Sequence, residues 1–283
     1  MNISYANSGV LDFYKTLPFN FYGNAVTAAI RIKASNPLAC YPALTALLQP
    51  SSRVLDVGCG AGWLVNSMNY YYQTNADGID FNPVALEQAK QVAHELKTKD
   101  SFQEADLFLY SPDPKYDIVV SMGVLHHTDN CIEAVRHLCR DCVKPGGHLF
   151  IGLYHLYGRR PFLDYFAKLR AEGMDEESLF KKYRILHPVS SDETFLRSWF
   201  RDQVLHPHET QHTLKEILPV LEDENMEFLS SSINGFIPNA DRDELTKKEK
   251  EYEATGVNKL KERTYFPGFF IFLAQKRAEG AVS

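Results

Sequence analysis

The sequence predicts an α/β fold built on a mostly parallel β-sheet with helices on both faces. Residues 53–57 form an apolar run with β-branched side chains, as in a buried strand, and a glycine-rich turn into a helix follows. Residues 75–80 form a second short strand, after which Asn82 and Pro83 begin a helix as N-cap and first helical residue. Residues 116–121 are an unbroken apolar run, typical of a central parallel strand.

The turn after the first strand carries glycine at alternate positions, Gly58, Gly60 and Gly62, just beyond Asp56. Glycine permits a positive φ and lets a ligand press against bare backbone. The helix that follows directs free N–H groups toward whatever lies in the turn. The turn therefore predicts a nucleotide-cofactor pocket at the carboxyl end of the first strand.

The spacing of the glycines separates two cofactor classes. A dinucleotide turn requires a glycine at position 63, where this chain has Trp63. A carboxylate at Asp56 would repel a pyrophosphate, whereas it suits a ligand with an amino group or a sulfonium. S-adenosylmethionine has both, and it is the predicted cofactor. Asp80 then lies at the right distance from the turn to accept hydrogen bonds from ribose hydroxyls, and Asp106 is placed to meet the adenine amino group.

The remaining elements follow in chain order. The third strand, residues 102–107, ends at Asp106, and a turn at residues 143–147 precedes the fifth strand. A long stretch after that strand contains helical segments at residues 161–171 and 192–200. The fifth strand itself covers residues 148–153. After the long stretch come a helix at about 209–223 and a sixth strand at 226–230. A charged surface helix within 241–263 and a final strand at 269–274 complete the predicted elements.

Residues 53–153 resemble class I S-adenosylmethionine-dependent methyltransferases, in the style of the ubiquinone/menaquinone C-methylases. Five motifs carry the resemblance in the family's order: residues 55–62 (LDVGCGAG), 78–80 (GID), 105–107 (ADL), 124–127 (VLHH) and 144–147 (KPGG). The resemblance implies a Rossmann-like seven-stranded sheet whose last strand is antiparallel, with a helical insertion after strand five. It also implies that the three glycines line the cofactor, that Asp80 holds the ribose and that Asp106, with Leu107, approaches the adenine. The family often has a smaller aliphatic residue near Trp63, which puts the local packing there in question.

The chain divides into four predicted segments: an N-terminal helical cover (1–50), a cofactor-binding core (51–153), a helical substrate-recognition insertion (154–207) and the C-terminal part of the core sheet (208–283). The first segment is rich in aromatic residues, among them Tyr14 and Tyr22, which we expect on one wall of the substrate pocket. The alternative is that these rings pack the outer helix layer. Unstructured stretches longer than about 15 residues are commonly lids or binding elements, which favours a binding function for the insertion.

Composition excludes several classes of protein. No apolar stretch reaches the about 18 residues of a membrane span, and the N-terminus lacks a basic region followed by an apolar core, so we expect a cytoplasmic protein. The net charge of −6 disfavours nucleic acid as a partner, because nucleic acid requires a basic surface. Five unevenly spaced cysteines argue against a disulfide framework, and the lone pair Cys139 and Cys142 is not enough for a structural zinc site.

Methyl transfer is an in-line displacement that mainly requires alignment and exclusion of water. A base is needed only when the nucleophile arrives protonated. His126 and His127 follow the fourth strand and are the candidate catalytic residues; the alternative is that they cap or pack a helix. Tyr154, His155 and Tyr157 follow the fifth strand and are candidates for the same cleft, or else an aromatic hinge at the base of the insertion.

The segment from His206 to His212 contains the pattern H-E-x-x-H in His208, Glu209 and His212. On a helix, the two histidines would share a face and could hold zinc with His206 as third ligand, which defines a metal-dependent hydrolase as a rival function. The histidines could instead be polar walls of the methyltransferase pocket, to which His208 is assigned. A third interpretation is a helix start in which Glu209 favours the helix dipole.

The sequence thus predicts transfer of a methyl group from S-adenosylmethionine to a small-molecule metabolite, with no metal ligand assigned. One alternative is a methyltransferase that acts on tRNA or protein through the basic residues between Arg159 and Arg184. Others are the zinc hydrolase and a binding protein that retains the cofactor without catalysis. The acceptor atom and the oligomeric state are not determined by the sequence.

Overall fold

The computed structural model describes residues 8–16, 19, 23–99, 101–187 and 192–278. Within these residues, seven strands form one sheet in the order β3-β2-β1-β4-β5-β7-β6. The strands are β1 Arg53–Val57, β2 Asn75–Asp80, β3 Phe102–Glu104, β4 Tyr116–Met122, β5 Val143–Tyr154, β6 Met226–Ser231 and β7 Phe269–Lys276. The first five pair in parallel, and β7 lies antiparallel between β5 and β6. The predicted mostly parallel sheet with an antiparallel last strand is confirmed.

Helices cover both faces of the sheet. The helices of the described residues are α1 Ser8–Thr16, α2 Ala25–Ala34, α3 Pro42–Thr45, α4 Trp63–Tyr72, α5 Pro83–Leu96, α6 Cys131–His137, α7 Leu156–Ala171, α8 Glu176–Leu186, α9 Glu193–Phe200, α10 Leu214–Asp223 and α11 Arg242–Lys261. Alternate residues of β1 separate the two layers, because Val54 packs with α4 and α5 while Leu55 packs with α6 and α10. Buried apolar residues on both faces explain the continuous hydrophobic runs of the sequence.

The predicted start of α5 is confirmed. The side chain of Asn82 accepts a hydrogen bond from the backbone N–H of Val84 at 3.1 Å, and Pro83 occupies the first helical position. Asp192 caps α9 in the same way by accepting from the N–H of Phe195 at 3.1 Å. The oxygens of these short side chains accept hydrogen bonds from N–H groups that have no partner inside the helix, so they fix where each helix begins.

The predicted helical insertion after β5 is also confirmed and consists of α7, α8 and α9. It has an apolar core of its own, built mainly from aromatic rings such as Phe166, Tyr183 and Phe200. Helix α7 lies close against α11, where a Cβ at Gly256 would come within 3.0 Å of the Pro161 ring. The missing side chain therefore lets the insertion pack tightly on the C-terminal part of the chain.

Three predicted boundaries are wrong. Strand β3 ends at Glu104, before Asp106, because Asp106 instead caps a turn by accepting a hydrogen bond from the N–H of Phe108 at 2.9 Å. The predicted turn at residues 143–147 belongs to β5, which begins at Val143 and accommodates the glycines as an irregularity in its pairing with β4. No helix begins at Glu209, since α10 starts at Leu214 with Thr213 as its cap.

The segment before α10 is extended because it pairs with the carboxyl end of β5. His212 donates its backbone N–H to the carbonyl of Tyr154 at 2.9 Å and accepts from the N–H of Leu156 at 2.9 Å. Thr210 donates its N–H to the carbonyl of His126 at 2.8 Å. These contacts between distant parts of the chain take up the groups that a helix would use internally.

Among the described residues, no helix has both the length and the apolar character that crossing a membrane demands.

Candidate functional site

A cavity opens at the carboxyl ends of β1 to β4, the edge of an α/β sheet at which ligands bind. It encloses about 1170 Å³, including its mouth, which is open to solvent. Its wall consists of residues 57–61, 79–82, 105–108, 122–124 and 127–129, together with Val10, Tyr14, Phe19, Trp63, Ala85 and Asp202. Segments from the core, the N-terminal helix and the end of the insertion therefore meet around one space.

The glycine turn forms one side of this cavity. The N–H groups of Gly58 and Cys59 both donate to the carbonyl of Ile79, at 2.8 and 3.0 Å, which ties the turn to β2. Gly60 has a φ of +51°, and a Cβ there would meet no atom within 4 Å, so its backbone faces open space. Gly62 differs, because a Cβ there would lie 2.6 Å from the Cβ of Ala89 on α5. Gly58 and Gly60 line the cavity, whereas Gly62 lets α4 pack against α5.

Asp80 lies at the end of β2 and joins the glycine turn to the next helix. One carboxylate oxygen accepts from the N–H of Gly60 and the other from the N–H of Asn82, each at 2.8 Å. The side chain lines the cavity but is only 8% exposed. Burial raises the pKa of Asp80 to about 6, against the opposing effect of the backbone N–H groups. Asp80 is therefore a fixed, mostly ionised acceptor at neutral pH.

Asp56 lies behind the turn and does not reach the cavity wall. Asp56 is only 2% exposed. Burial, reinforced by the nearby charge of Asp80, raises the pKa of Asp56 to about 8. The carboxyl is thus mainly protonated at neutral pH, so Asp80, and not Asp56, supplies the negative charge next to the glycine turn.

Asp106 and Leu107 lie in the turn after β3 and both line the cavity. Trp63, which is larger than the aliphatic residue that the family often has near this position, also lines the cavity. Its ring packs against Tyr41 with centroids 6.4 Å apart. Tyr41 thus supplies the local packing for the larger ring. The wall on this side combines a carboxylate with aromatic surface.

A second polar group, formed by Tyr14, His127 and Asp202, lies on the cavity wall; we call it the acceptor cluster. The hydroxyl of Tyr14 donates to Oδ1 of Asp202 at 2.5 Å, and Nε2 of His127 lies 3.8 Å from the same oxygen. Asp202 is 6% exposed and comes from a π-helical turn, Arg201–Leu205, that follows α9. Burial raises its pKa to about 6, although the Tyr14 hydrogen bond opposes that rise.

The contacts of His127 fix its tautomer. Nδ1 lies 2.9 Å from the carbonyl oxygen of His208, and a carbonyl can only accept, so Nδ1 carries the proton. Nε2 then presents a lone pair, and it has no hydrogen-bond partner among the described residues. Burial lowers the pKa of His127 to about 4, even though the bond to His208 favours the charged form. The ring packs against that of His206 at a tilt of 30°, with centroids 3.8 Å apart.

His126 and Tyr154 lie behind the acceptor cluster and do not line the cavity. His126 is fully buried, and its Nδ1 accepts from the backbone N–H of Tyr154 at 3.2 Å. Burial holds the pKa of His126 well below its usual range. The hydroxyl of Tyr154 lies 3.5 Å from Oδ2 of Asp202, so Tyr154 touches the cluster from behind.

The other predicted pocket residues lie elsewhere. His155 is fully buried between β5 and α11, where its Nε2 lies 3.0 Å from Glu249, and Tyr157 packs against its ring. His208 acts through its backbone carbonyl, since its own Nε2 lies 3.1 Å from the carbonyl of Thr128. None of the three lines the cavity, and Tyr22 lies outside the described residues.

The H-E-x-x-H pattern does not form a metal site in this fold. Glu209 accepts two hydrogen bonds from the fully buried Arg159, at 3.0 and 2.7 Å. Nε2 of His212 lies 2.8 Å from the hydroxyl of Thr210. The segment is extended, so histidines four apart do not share a helical face. Over the described ranges, no group of three or more His, Cys, Asp or Glu side chains could hold a metal ion.

The cavity at the strand ends, the glycine turn and the acid at the end of β2 define the class of protein as a class I S-adenosylmethionine-dependent methyltransferase. Comparison of the sequence with family models agrees, because the family described as "Methyltransferase domain" matches residues 34–218, more than half of the chain. The protein belongs to this methyltransferase domain family.

Two curated relatives illustrate the similarity. The chain is 34% identical over 122 residues to the "Ubiquinone biosynthesis O-methyltransferase" of Alkalilimnicola ehrlichii, which covers 42% of this chain and 47% of that protein. It is 28% identical over 187 residues to "Phosphoethanolamine N-methyltransferase 3" of Arabidopsis thaliana, which covers 65% of this chain and 36% of that protein. The chain therefore spans less than half the length of these relatives.

A solved structure shares the fold. PKMT2 from Rickettsia typhi, solved in complex with AdoHcy, superposes with a TM-score of 0.58 at 16% identity, over 86% of this chain and 53% of that one.

The sequence predicts neither Asp202 nor Arg159 as a residue of the site. Asp202 belongs to no motif, and Arg159 falls among charged residues that resemble a solvated helix surface. Asp202 stands between Arg201 and Gln203, so its local sequence is that of an exposed polar turn and gives no signal of burial.

Proposed function

We propose that this protein transfers a methyl group from S-adenosylmethionine to a small-molecule acceptor in the cavity at the strand ends. The observation that carries the proposal is the arrangement of Gly60 and Asp80. Bare backbone at Gly60 lies open to the cavity, and Asp80, which binds its N–H, is a buried carboxylate on the same wall. A nucleoside that bears hydroxyls and positive charge matches both features.

The residues of the cofactor end would hold S-adenosylmethionine as follows. Asp80 would accept from the ribose hydroxyls, Asp106 and Leu107 would meet the adenine, and the backbone at Gly58 and Gly60 would approach the ligand closely. When bound, the cofactor supplies an electrophilic methyl carbon on positively charged sulfur. Asp80 remains ionised at neutral pH and favours that positive charge.

The N-terminal segment and the insertion would form the acceptor side. Helix α1 contributes Tyr14, and the turn after α9 contributes Asp202, so both segments reach the cavity wall that the core alone leaves open. At this end of the cavity, His127 is 5% exposed and Asp202 is 6% exposed. Exclusion of water from this end supports alignment of an acceptor with the methyl group.

A small molecule is favoured over tRNA or protein as acceptor. The net charge is −6, and Arg159, one of the basic residues that a nucleic acid would need, is fully buried and paired with Glu209. The printed names of the two curated relatives refer to ubiquinone biosynthesis and to phosphoethanolamine, which are small-molecule chemistry.

Calorimetry with S-adenosylmethionine and S-adenosylhomocysteine tests the cofactor assignment. We expect both to bind the wild-type protein. Asp80→Asn should weaken binding by about 1.5–3 kcal/mol, because it removes the charge from hydrogen bonds to the ribose. Asp223→Asn, on an exposed side chain of α10, is the matched control and should bind as the wild type does. Failure of the folded wild-type protein to bind either nucleoside would refute the proposal.

A further inference from the structure

The acceptor cluster brings two hydrogen-bond acceptors together with no donor between them. Nε2 of His127 presents a lone pair, because Nδ1 donates to the carbonyl of His208. Oδ1 of Asp202 lies 3.8 Å from that nitrogen, beyond hydrogen-bond length, and it already accepts from Tyr14. His127 is 5% exposed and lines the cavity, yet its Nε2 has no partner among the described residues. Buried polar atoms of this kind are normally satisfied, so the cluster is incomplete without a donor from the cavity.

We propose that the donor is the acceptor substrate itself: its nucleophilic atom carries a dissociable proton, and Asp202 accepts that proton as the methyl group is transferred. This inference rests on the proposed function and adds the chemical class of the substrate. Tyr14 is a positioning residue because it holds Oδ1 of Asp202, whereas His127 offers the substrate a second acceptor beside that oxygen.

The step balances without any further reactant. A lone pair of the substrate's oxygen or nitrogen forms the new bond to the methyl carbon. The carbon–sulfur bond breaks, and its electron pair remains on sulfur, which leaves S-adenosylhomocysteine. The proton of the O–H or N–H group passes to the Asp202 carboxylate, and solvent removes it after the product leaves. Nothing is oxidised or reduced.

Asp202 is a better proton acceptor than His127 because burial acts on the two groups in opposite directions. It raises the pKa of the Asp202 carboxyl to about 6 and lowers that of the His127 imidazole to about 4. The stronger base of the pair is therefore the carboxylate. The charged and titratable groups around Asp202 come from several elements of the chain: Tyr14, His127, Tyr154, Arg159, Tyr183, His206, Glu209 and Tyr265.

The other residues of the cavity wall limit the charge and the polarity of the substrate that can bind. Of the described residues that line the cavity, four are aspartates and none is lysine or arginine, so a phosphate or carboxylate on the substrate would find no cation. The rings of Tyr14, Phe19 and His127 line the cavity as well and suit an apolar or aromatic body. The substrate class is therefore an uncharged hydroxyl compound, such as a phenol, or an amine.

Binding of matched probes to the S-adenosylhomocysteine complex tests this inference by calorimetry. Catechol is compared with 1,2-dimethoxybenzene, which has no hydroxyl, and benzylamine with benzyltrimethylammonium, which keeps the charge but has no N–H. We expect the protic member of one pair to bind at least about tenfold more tightly, since hydrogen bonds to charged groups are the stronger ones. The pair that shows the preference identifies the acceptor atom as oxygen or nitrogen.

Asp202→Asn should reduce that preference to less than about threefold, because the amide keeps the shape and an oxygen for Tyr14 but loses the charge. Asp223→Asn should leave the preference intact. If Asp202→Asn does not fold, Tyr14→Phe replaces it: loss of the donor makes the Asp202 carboxylate less stable, so the preference should appear only at higher pH than in the wild type.

No preference in either pair, including no binding of any probe, would overturn this inference while S-adenosylhomocysteine still binds. A preference that Asp202→Asn or Tyr14→Phe leaves unchanged would also overturn it. Absence of S-adenosylhomocysteine binding would instead refute the proposed function, so the two failures are distinguishable.

Discussion

Loss of one partner of the buried ion pair between Arg159 and Glu209 should strongly destabilise the protein, and Glu209→Gln tests this. Arg159 is fully buried, and the Glu209 side chain is 12% exposed. The guanidinium donates to both oxygens of Glu209 and to the carbonyl of Gln203 at 2.7 Å, and it lies 3.8 Å above the Tyr154 ring. The pair thus connects the insertion, the end of β5 and the segment before α10.

Glu209→Gln removes the negative charge but almost no volume. It leaves a buried cation without compensation, which typically costs about 3–5 kcal/mol. We expect a loss near the lower end of that range, because the carbonyl of Gln203 and the Tyr154 ring still contact Arg159. Arg159→Met should cost a similar amount, since Glu209 is then left without its cation. The double variant Arg159→Met with Glu209→Leu should lose much less than the sum of the two single variants, because no buried charge remains.

Urea unfolding at pH 7, followed by circular dichroism, measures these free energies of unfolding. A loss below about 1 kcal/mol in Glu209→Gln would refute the reasoning, as would a double variant that loses the full sum. The pH dependence gives an independent check. Burial alone would raise the pKa of Glu209, but the hydrogen bonds and charge of Arg159 hold it below its ordinary value. A lowered folded-state pKa gives stability that is present above the unfolded pKa and lost as pH falls through the folded one. The difference between wild type and Glu209→Gln should shrink correspondingly in acid.

Other expected outcomes concern the cofactor end. Gly62→Ala should lower the free energy of unfolding by more than about 2 kcal/mol, because φ is +75° and the new Cβ would lie 2.6 Å from α5. Gly60→Ala should cost only about 1 kcal/mol, since its Cβ meets nothing, yet it should weaken S-adenosylmethionine binding in calorimetry; an unchanged affinity would contradict the cofactor assignment. S-adenosylmethionine affinity should fall as pH drops through about 6, where Asp80 becomes protonated, and a flat profile would remove that charge from the site. Asp56→Asn should become increasingly more stable than wild type between about pH 4 and 8, because the raised pKa of Asp56 makes its ionisation unfavourable in the folded state; a constant difference in urea unfolding would contradict the protonated carboxyl.

The cofactor half of the molecule was largely predictable. The glycine turn, the N-cap at Asn82 and the central strand β4 each have a local signal, because they depend on special backbone angles, on short side-chain caps or on continuous burial. Asp56 shows the limit of such reasoning. Its position beside the turn suggested a charged ligand, but the depth of burial that makes it mainly neutral depends on the packing around it.

The segment around Glu209 shows why a motif alone can mislead. Three residues within a five-residue stretch match a zinc-binding helix, yet the backbone there bonds to the ends of neighbouring segments, and the glutamate pairs with Arg159. Local sequence does not record which distant carbonyls are available for such bonds. The predicted helix start was therefore wrong by five residues, from Glu209 to Leu214.

By itself, the sequence determined the sheet, the glycine turn and the class of cofactor, because periodicity and glycine spacing act over a few residues. Only the tertiary structure decided the acceptor cluster. Tyr14 and Asp202 lie 188 residues apart in the chain, and their hydrogen bond forms because α1 and the end of the insertion pack over the same strand ends. Contacts at that separation depend on how whole helices pack, and no spacing in the chain encodes them.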